Sequence, residues 1–299
     1  MDFRQLEAFV CTVELKSFTA AAQKLFLSQP TISSHVSSLE KELGTQLIRR
    51  TSKEFVVTPE GERLYVLAQG MLRMREQAVG ELSDQHAKDL PIGVSTIPAQ
   101  SLLPKILKAF SDLYPEVHFS VEQSESLDII EKVSQRNLEI GFVGMIIDES
   151  ACTYLPLVHD ELVIATPNNT HFESLKDRGV TVRELLKEPL ILRSELSASE
   201  REAETFLTSI GLSLEDLHIV ARMNDAQLVS RCVAKGLGIS IISKNAVEED
   251  VIMGDTLIFP LSDPPLVRTL YMVYRDDEFL TKVARRFVQM MEESFALTS

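Results

Sequence analysis

The sequence predicts an α/β protein with more than one hydrophobic core. The chain has 299 residues, and a single core stops growing at roughly 250–300 residues, so this length favours several domains. Hydrophobic residues make up 44% of the chain and charged residues 25%, the balance of an ordinary globular protein. From about residue 90, apolar strand-like runs alternate with amphipathic helical segments, which predicts a parallel sheet with crossover helices.

Three short helices are predicted near the N-terminus. Their starts are marked by Asp2, Ser17 and Ser28, whose side-chain oxygens can accept hydrogen bonds from free backbone amides. Gly44 marks the end of the third helix, because glycine readily adopts the left-handed conformation that stops a helix. The buried stripe of this third helix is expected to contain Ile32, Val36, Leu39 and Leu43.

The opposite face of the third helix carries small polar side chains. Such side chains permit the close approach that a helix in a DNA major groove requires, although a solvated surface would show the same pattern. The residues on or beside this face that we expect to reach DNA are Gln29, Pro30, Thr31, Ser33, Ser34 and Ser37.

A β-hairpin is predicted after the third helix. Its strands are Leu47–Arg50 and Phe55–Val57, and residues 51–54 form the turn. Three helices followed by a hairpin indicate a winged helix-turn-helix. Residues 1–60 carry no net charge, whereas the rest of the chain holds the whole net charge of −14, so only the N-terminal part suits a polyanion. The wing supplies the candidate cations for the DNA backbone, Arg49, Arg50 and Lys53.

A long helix is predicted from Pro59 to about Ala87, after the capping residue Thr58. Apolar residues recur in it with the 3,4 spacing of a coiled-coil seam. Packing on its own domain would also produce such a stripe, but no downstream core is close in sequence, so pairing with a second chain is favoured. The candidate dimerisation residues are Leu64, Leu67, Met71, Met74 and Ala78.

Polar residues follow several of the predicted strands. In open α/β sheets, ligands bind beyond the carboxyl ends of the strands. The loop after the first strand also opens a helix at Pro98, whose free N–H groups favour an anion, although ordinary loop-capping hydroxyls are equally consistent with this pattern. The candidate ligand-binding residues are Ser95, Thr96, Ile97, Ser124, Met145, Arg193, Ser194 and Asn224.

Motifs of catalysis, metal binding and secretion are absent from the sequence. There is no phosphate-binding GxxxxGK[ST], HExxH or GxSxG motif, and the six histidines are dispersed. We therefore expect no catalytic residue, no metal and no cofactor. The three cysteines cannot form a complete disulfide framework. No apolar run reaches the ~20 residues of a membrane helix and no signal peptide is evident, so we expect a cytoplasmic protein without membrane contact.

One combination of residues resembles a known family. The matching segments are Phe9, Ser17-Phe18-Thr19-Ala20-Ala21-Ala22, Leu25, Ser28-Gln29-Pro30-Thr31-Ile32-Ser33, Leu39-Glu40, Leu43-Gly44, Leu47, Arg49-Arg50 and Thr58-Pro59-Glu60-Gly61. Together they resemble the N-terminal signature of LysR-type transcriptional regulators. The total length also fits, so the resemblance covers the whole chain. Relatives often carry arginine at position 34 or 37, whereas this chain has serine at both, which shifts the expected backbone contacts to the wing.

The resemblance implies a regulator with a two-lobed effector domain, each lobe Rossmann-like and similar to periplasmic binding proteins. The implied partners are a pseudo-palindromic promoter in double-stranded DNA, a small-molecule effector, RNA polymerase, and further copies of the chain in a homodimer or homotetramer. The free N–H groups of the helix that opens at Pro98 favour an anionic effector. The alternative is a solute-binding protein or an enzyme on the same two-lobe fold, against which the winged helix-turn-helix argues. The implied boundaries are 1–58 for DNA binding, 59–88 for the linker helix and hinge, 89–160 with 265–299 for lobe 1, and 161–264 for lobe 2.

Overall fold

The computed structural model describes residues 1–50, 55–82, 89–148, 151–194, 197–276 and 280–297. The chain forms two compact units. The first comprises Met1–Ala87 and Gln135–Asn137, and the second comprises Lys88–Ser134 and Leu138–Ser299.

The first unit is a winged helix-turn-helix with one long additional helix, as predicted. Its elements are α1 (Phe3–Leu15), α2 (Phe18–Lys24), α3 (Gln29–Leu43), β1 (Ile48–Arg50), β2 (Phe55–Val57) and α4 (Pro59–Leu82). Asp2 and Gln5 form the expected capping box, and Ser17 and Ser28 accept from amides of the next helices. Gly44 ends α3 with a φ of 66°.

The predicted buried stripe of α3 is wrong at its last member. Ile32, Val36 and Leu39 are at most 1% exposed, but Leu43 is 41% exposed. The chain turns back after Gly44, and Leu47 occupies the core instead. The Glu40 carboxylate fixes this turn by accepting from the backbone N–H of Leu47 at 2.9 Å, and the leucine at the end of the helix is left outside.

The helix α4 packs on its own domain with one face, which is the alternative that the sequence analysis considered less favoured than pairing with a second chain. Ala68 is fully buried in the cluster of Leu6, Phe9 and other residues of α1 and α3. Leu64, predicted at a dimer seam, also packs against this cluster. The prediction rested on the cores that follow α4 in the chain. The covering helix α1 instead precedes α4 by more than 40 residues.

The second unit contains two lobes. Lobe 1 contains β3 (Asp89–Val94), α5 (Thr96–Ser101), α6 (Leu103–Leu113), β4 (His118–Gln123), α7 (Ser126–Ser134), β5 (Ile140–Val143), β11 (Val267–Tyr274) and α13 (Lys282–Ser294). Lobe 2 contains α8 (Thr170–Asp177), α9 (Val182–Leu185), β7 (Leu190–Arg193), α10 (Ala198–Ser209), a 3₁₀ turn (Leu214–Asp216), β8 (Ile219–Met223), α11 (Ala226–Ala234), β9 (Ser240–Ser243), α12 (Lys244–Ile252) and β10 (Thr256–Pro260). The long strand β6 (Thr153–Pro167) belongs to both.

The main sheet is mixed, not parallel throughout as predicted. Its order is β10-β6-β11-β5-β3-β4, with β9 also paired to β6. Only β3 with β4 and β3 with β5 are parallel among the described strands of this sheet. The strand β6 pairs antiparallel with β11 as far as Glu161, and with β9 and β10 from Leu162 onward. A strand that runs directly from one lobe into the other needs no crossover helix, which is why its partners are antiparallel.

Four local features differ from the sequence expectation. The helix predicted to open at Pro98 is short and is followed by a second helix, α6, because Pro104 lacks the N–H that would continue the first one. The elements α8, α12 and β10 were not predicted. The helix α12 carries almost no apolar periodicity in its sequence, and Val247 is its one buried residue.

Candidate functional site

The polar face of α3 is exposed. Its exposed residues are Gln29, Pro30, Ser34 and Ser37, and Ser33 is half-buried. Thr31 is different, because its hydroxyl lies 2.8 Å from the Ser28 hydroxyl and takes part in the cap of the helix. This face can therefore offer amide and hydroxyl groups to a nucleic-acid groove.

The wing after α3 provides a positively charged side chain. Arg49 is exposed in β1 and lies opposite Val56 of β2. Phe55 anchors the wing to the helices through Phe18, with ring centroids 6.2 Å apart. The side chain of Arg50 and the whole of Lys53, both predicted at the DNA, lie outside the described residues.

The predicted seam on α4 is exposed apart from Leu64. Leu67 is 60% exposed, Met71 37% and Met74 41%, and Ala78 is exposed as well. These exposed residues form a largely apolar stripe along one side of α4.

A cavity of about 260 Å³ of empty space, including its mouth, lies between the lobes of the second unit. Its floor follows the carboxyl ends of β3, β5 and β7. Hydroxyls and two guanidinium groups dominate its wall. The lining residues are Ser95, Thr96, Ile97, Pro98, Glu125, Ser126, Gly144, Arg193, Ser197, Ala198, Ser199 and Arg268.

Arg193 is the least paired charged group of this wall. Its side chain reaches lobe 1, where Nη2 donates to the Thr96 hydroxyl at 3.3 Å, and the residue is only 2% exposed. Among the described residues, nothing accepts a hydrogen bond from its Nε or Nη1. Burial lowers the pKa of the Arg193 guanidinium, and the nearby carboxylates of Glu125, Asp225 and Glu200 oppose this shift only in part.

Glu200 on α10 holds the backbone beneath Arg193. Its Oε2 accepts from the Arg193 backbone N–H at 3.0 Å. Its Oε1 has no hydrogen-bond partner among the described residues, and the nearest cation, Arg222, lies 3.9 Å away. Burial raises the pKa of Glu200 to about 7.

Arg268 is fixed at the cavity by a buried aspartate. Its Nε and Nη2 each lie 2.9 Å from Oδ2 of Asp160, which is completely buried. Asp160 also accepts from the Ser243 hydroxyl at 2.5 Å and from the Asn245 amide at 2.8 Å. Since Asp160 lies where β6 passes between the lobes, this network joins the cavity to the crossing strand.

The structure brings half of the predicted ligand residues to the cavity. Ser95, Thr96, Ile97 and Arg193 line it. Ser194 lies beside it and donates to Oε1 of Glu125 at 3.0 Å.

The other three predicted ligand residues lie elsewhere. Met145 packs against the cluster of Ile129 and its neighbours, Asn224 is exposed, and the Ser124 backbone N–H binds Val94 at the end of β3. The helix expected to open at Pro98 begins at Thr96 and has six residues, so it provides little dipole.

Sequence reasoning missed Arg268, Asp160, Glu125 and the serines of α10. A signal existed for Arg268, because it is the only charged residue within the apolar strand Val267–Tyr274. A cation at a buried strand position requires a partner, and that partner is supplied from another strand.

The described part of the chain has neither a metal-binding cluster nor a membrane-spanning helix. It contains no group of three or more His, Cys, Asp and Glu residues that could hold a metal ion. None of its helices is long and apolar enough to cross a membrane.

Two family models match the chain. The model described as bacterial regulatory helix-turn-helix protein, lysR family, matches residues 3–62. The model described as LysR substrate binding domain matches residues 83–296.

Individual proteins match over nearly the full length. The chain is 29% identical to the HTH-type transcriptional regulator CysL of Bacillus subtilis, covering 99% of this chain and 98% of that protein. It is 30% identical to the uncharacterized HTH-type transcriptional regulator MJ0300 of Methanocaldococcus jannaschii, covering 89% and 90%. The crystal structure of full-length CbnR complexed with its target DNA shares the fold, with a TM-score of 0.69, 19% identity and coverage of 98% and 100%.

Proposed function

The chain belongs to the LysR family of DNA-binding transcriptional regulators, and from this premise we propose how it binds DNA, assembles and responds to an effector. The observation that supports the proposal best is the cavity between the lobes. Its wall holds the buried guanidinium of Arg193, whose Nε and Nη1 have no acceptor among the described residues. In this proposal, a small anionic molecule enters the cavity and changes how the dimer or tetramer holds promoter DNA.

For DNA binding, we assign base contacts to Gln29 and Ser33 and close backbone approach to Pro30, Thr31, Ser34 and Ser37. The exposure of most of this face supports the assignment. Because α3 carries no cation before Lys41, phosphate contacts fall to the wing residues Arg49, Arg50 and Lys53.

For assembly, we assign a dimer interface to Leu67, Met71, Met74 and Ala78 of α4. Their exposure in the single chain supports this, since an apolar stripe in water is unfavourable unless another surface covers it. Leu64 contributes at most its outer edge, because it already packs on the core of its own unit. A second pairing through the effector domains would give a tetramer.

For the effector, we assign binding to Ser95, Thr96, Ile97 and Arg193, with Ser194 acting through Glu125. The two lobes meet at this cavity, so a bound molecule can alter their relative position and transmit the change to the linker helix. RNA polymerase is the expected partner downstream. A regulator of promoters works where the chromosome is, so we place the protein in the cytoplasm.

Electrophoretic mobility shift and footprinting with the intergenic DNA next to its own gene test this function. We expect a protected pseudo-palindromic site and a footprint whose length changes with the effector. A chain that binds no DNA but binds small molecules tightly would instead be a solute-binding protein on the same two-lobe fold.

A further inference from the structure

We propose that the cavity selects a compact oxyanion that keeps a proton at neutral pH, with Arg193 and Arg268 balancing its charge and Glu125 recognising its proton. This inference rests on the proposed role of the cavity as the effector site. Three observations support it. Two arginines line the cavity, of which Arg268 is bound by an aspartate and Arg193 is not; the space is small; and Glu125 is the single carboxylate among the described lining residues.

The first observation concerns the charge that the cavity lacks. Arg193 is 2% exposed, and its Nε and Nη1 have no acceptor in the described part of the chain. The carboxylates of Glu125, Asp225 and Glu200 attract this cation, but none of them accepts from Nε or Nη1. A buried guanidinium is unfavourable unless acceptors complete its hydrogen bonds, so these two nitrogens favour an anion in the cavity. The hydroxyl of Thr96 already occupies Nη2 and orients the guanidinium.

The second cation is held in place before any ligand arrives. Asp160 binds Arg268 through two nitrogens, each at 2.9 Å, so the guanidinium cannot rotate away from the cavity. A fixed cation costs no reorganisation on binding, which favours an anion that fits its position.

The third observation concerns size. The space is small, since it amounts to about 260 Å³ even with the open mouth included. A Cβ at Gly144 would already lie 3.3 Å from Nη1 of Arg268, so the wall is close-fitting at this point. Hydroxyls of Ser95, Thr96, Ser197 and Ser199 line it, which suits oxyanion oxygens and not an aromatic ring.

Glu125 decides which oxyanion is accepted. One of its carboxylate oxygens accepts from the Ser194 hydroxyl at 3.0 Å, which fixes the group at the cavity wall. An ionised carboxylate only accepts hydrogen bonds. It therefore repels a fully deprotonated oxyanion such as sulfate and binds one that still carries an O–H, such as phosphate.

Isothermal titration calorimetry of the full-length protein at pH 7 tests this, with inorganic phosphate, sulfate and benzoate as probes in a buffer that contains no other oxyanion. We expect one phosphate per chain, at least tenfold weaker binding of sulfate, and no binding of benzoate. Glu125→Gln should remove most of the preference for phosphate over sulfate, since an amide can donate to sulfate.

Arg193→Gln should weaken phosphate binding at least tenfold, and Arg193→Lys, which keeps the charge, should weaken it less. Arg231→Gln, at an exposed position of α11, is the matched control and should bind like wild type. Circular dichroism verifies that each variant is folded. Unchanged phosphate affinity in folded Arg193→Gln overturns the site, and equal affinity for sulfate and phosphate in the wild type overturns the role of Glu125.

The result for benzoate separates the choice of ligand from the proposed function. If benzoate binds and phosphate does not, and if benzoate changes the DNA footprint in a way that depends on Thr96, the cavity is the effector site but a compact protonated oxyanion is not its ligand. If the wild type does not bind DNA at all, the result contradicts the proposed function but leaves the choice of ligand for the cavity untouched.

Discussion

Gln29 lies at the exposed start of α3, where its amide is free to face a base. In the major groove, a glutamine side chain can form two hydrogen bonds with adenine, one through its amide oxygen and one through its amide NH₂. We expect Gln29→Ala to cost about 1–3 kcal/mol on the specific site and to leave non-specific binding nearly unchanged. Mobility shift titrations on the promoter and on random DNA measure both quantities.

Gln23→Ala, exposed on α2, is the control and should change neither affinity. An equal loss on promoter and random DNA in Gln29→Ala would show that this residue contributes only backbone affinity.

Glu200 makes stability depend on pH. In the folded protein its pKa is raised to about 7, from an ordinary value of 4.5. The folded state thus binds more protons than the unfolded state between these values, so the contribution of Glu200 is fully present below pH 4.5 and is lost as the pH rises through about 7. The loss is of the order of 3 kcal/mol.

We expect Glu200→Gln to be more stable than wild type at pH 8, because the amide can keep the hydrogen bond from Arg193 without burying a charge. Urea unfolding at pH 5 and pH 8 measures the difference. Glu248→Gln, exposed on α12, should leave the profile as in wild type. A Glu200→Gln variant that loses stability equally at both pH values would show that the carboxyl group is not the cause.

At the scale of an element, α4 has two apolar faces with different partners. One face packs on α1 around Ala68, and the other exposes Leu67, Met71 and Met74. Replacing both Leu67 and Met71 by Glu would place like charges in a proposed self-paired interface. We expect the oligomer to dissociate and binding to a full palindrome to collapse, while the effector lobes remain folded.

Light scattering measures the oligomer mass, and thermal unfolding reports on the lobes. Glu62→Lys, exposed on a different side of α4, should preserve the mass. A double variant with unchanged mass would mean that the seam is not the interface.

At the scale of the whole molecule, the cavity connects both lobes with the crossing strand. Thr96 of lobe 1 accepts from Arg193 of lobe 2, and Asp160 on β6 holds Arg268. A ligand that favours one arrangement by about 1–3 kcal/mol is sufficient for typical coupling between sites. We expect Thr96→Val to abolish the response to effector and to spare DNA binding.

Footprint length with and without effector, together with calorimetric ligand affinity, tests this coupling. Ser101→Ala is the control within the same helix, since its hydroxyl donates to the backbone carbonyl of Ile97 and does not line the cavity. If Thr96→Val responds like wild type, the ligand is held elsewhere.

The sequence predicted the first unit more completely than the second. Caps at Asp2, Ser17 and Ser28 and the stop at Gly44 depend on residues a few positions away, so local physics decides them. The predicted burial of Leu43 was wrong because it depends on where the chain turns back, and this turn brings Leu47 into the core instead. The covered face of α4 was missed for the same reason, since α1 is distant in sequence.

The candidate cavity shows the same division. Ser95, Thr96 and Arg193 were predicted because they follow strands, and strand ends can be located from periodicity. Glu125, Ser197 and Arg268 were not, because their place in the wall depends on how two lobes meet.

By itself, the sequence determined the family, the winged helix-turn-helix and the alternation of strands and helices, since each follows from patterns repeated over a few residues. Only the tertiary structure decided the mixed sheet, the second face of α4 and the pairing of Asp160 with Arg268. Those two residues are 108 positions apart in the chain. A buried charge is stable only beside its partner, and a linear pattern does not specify which distant residue the folded backbone brings there.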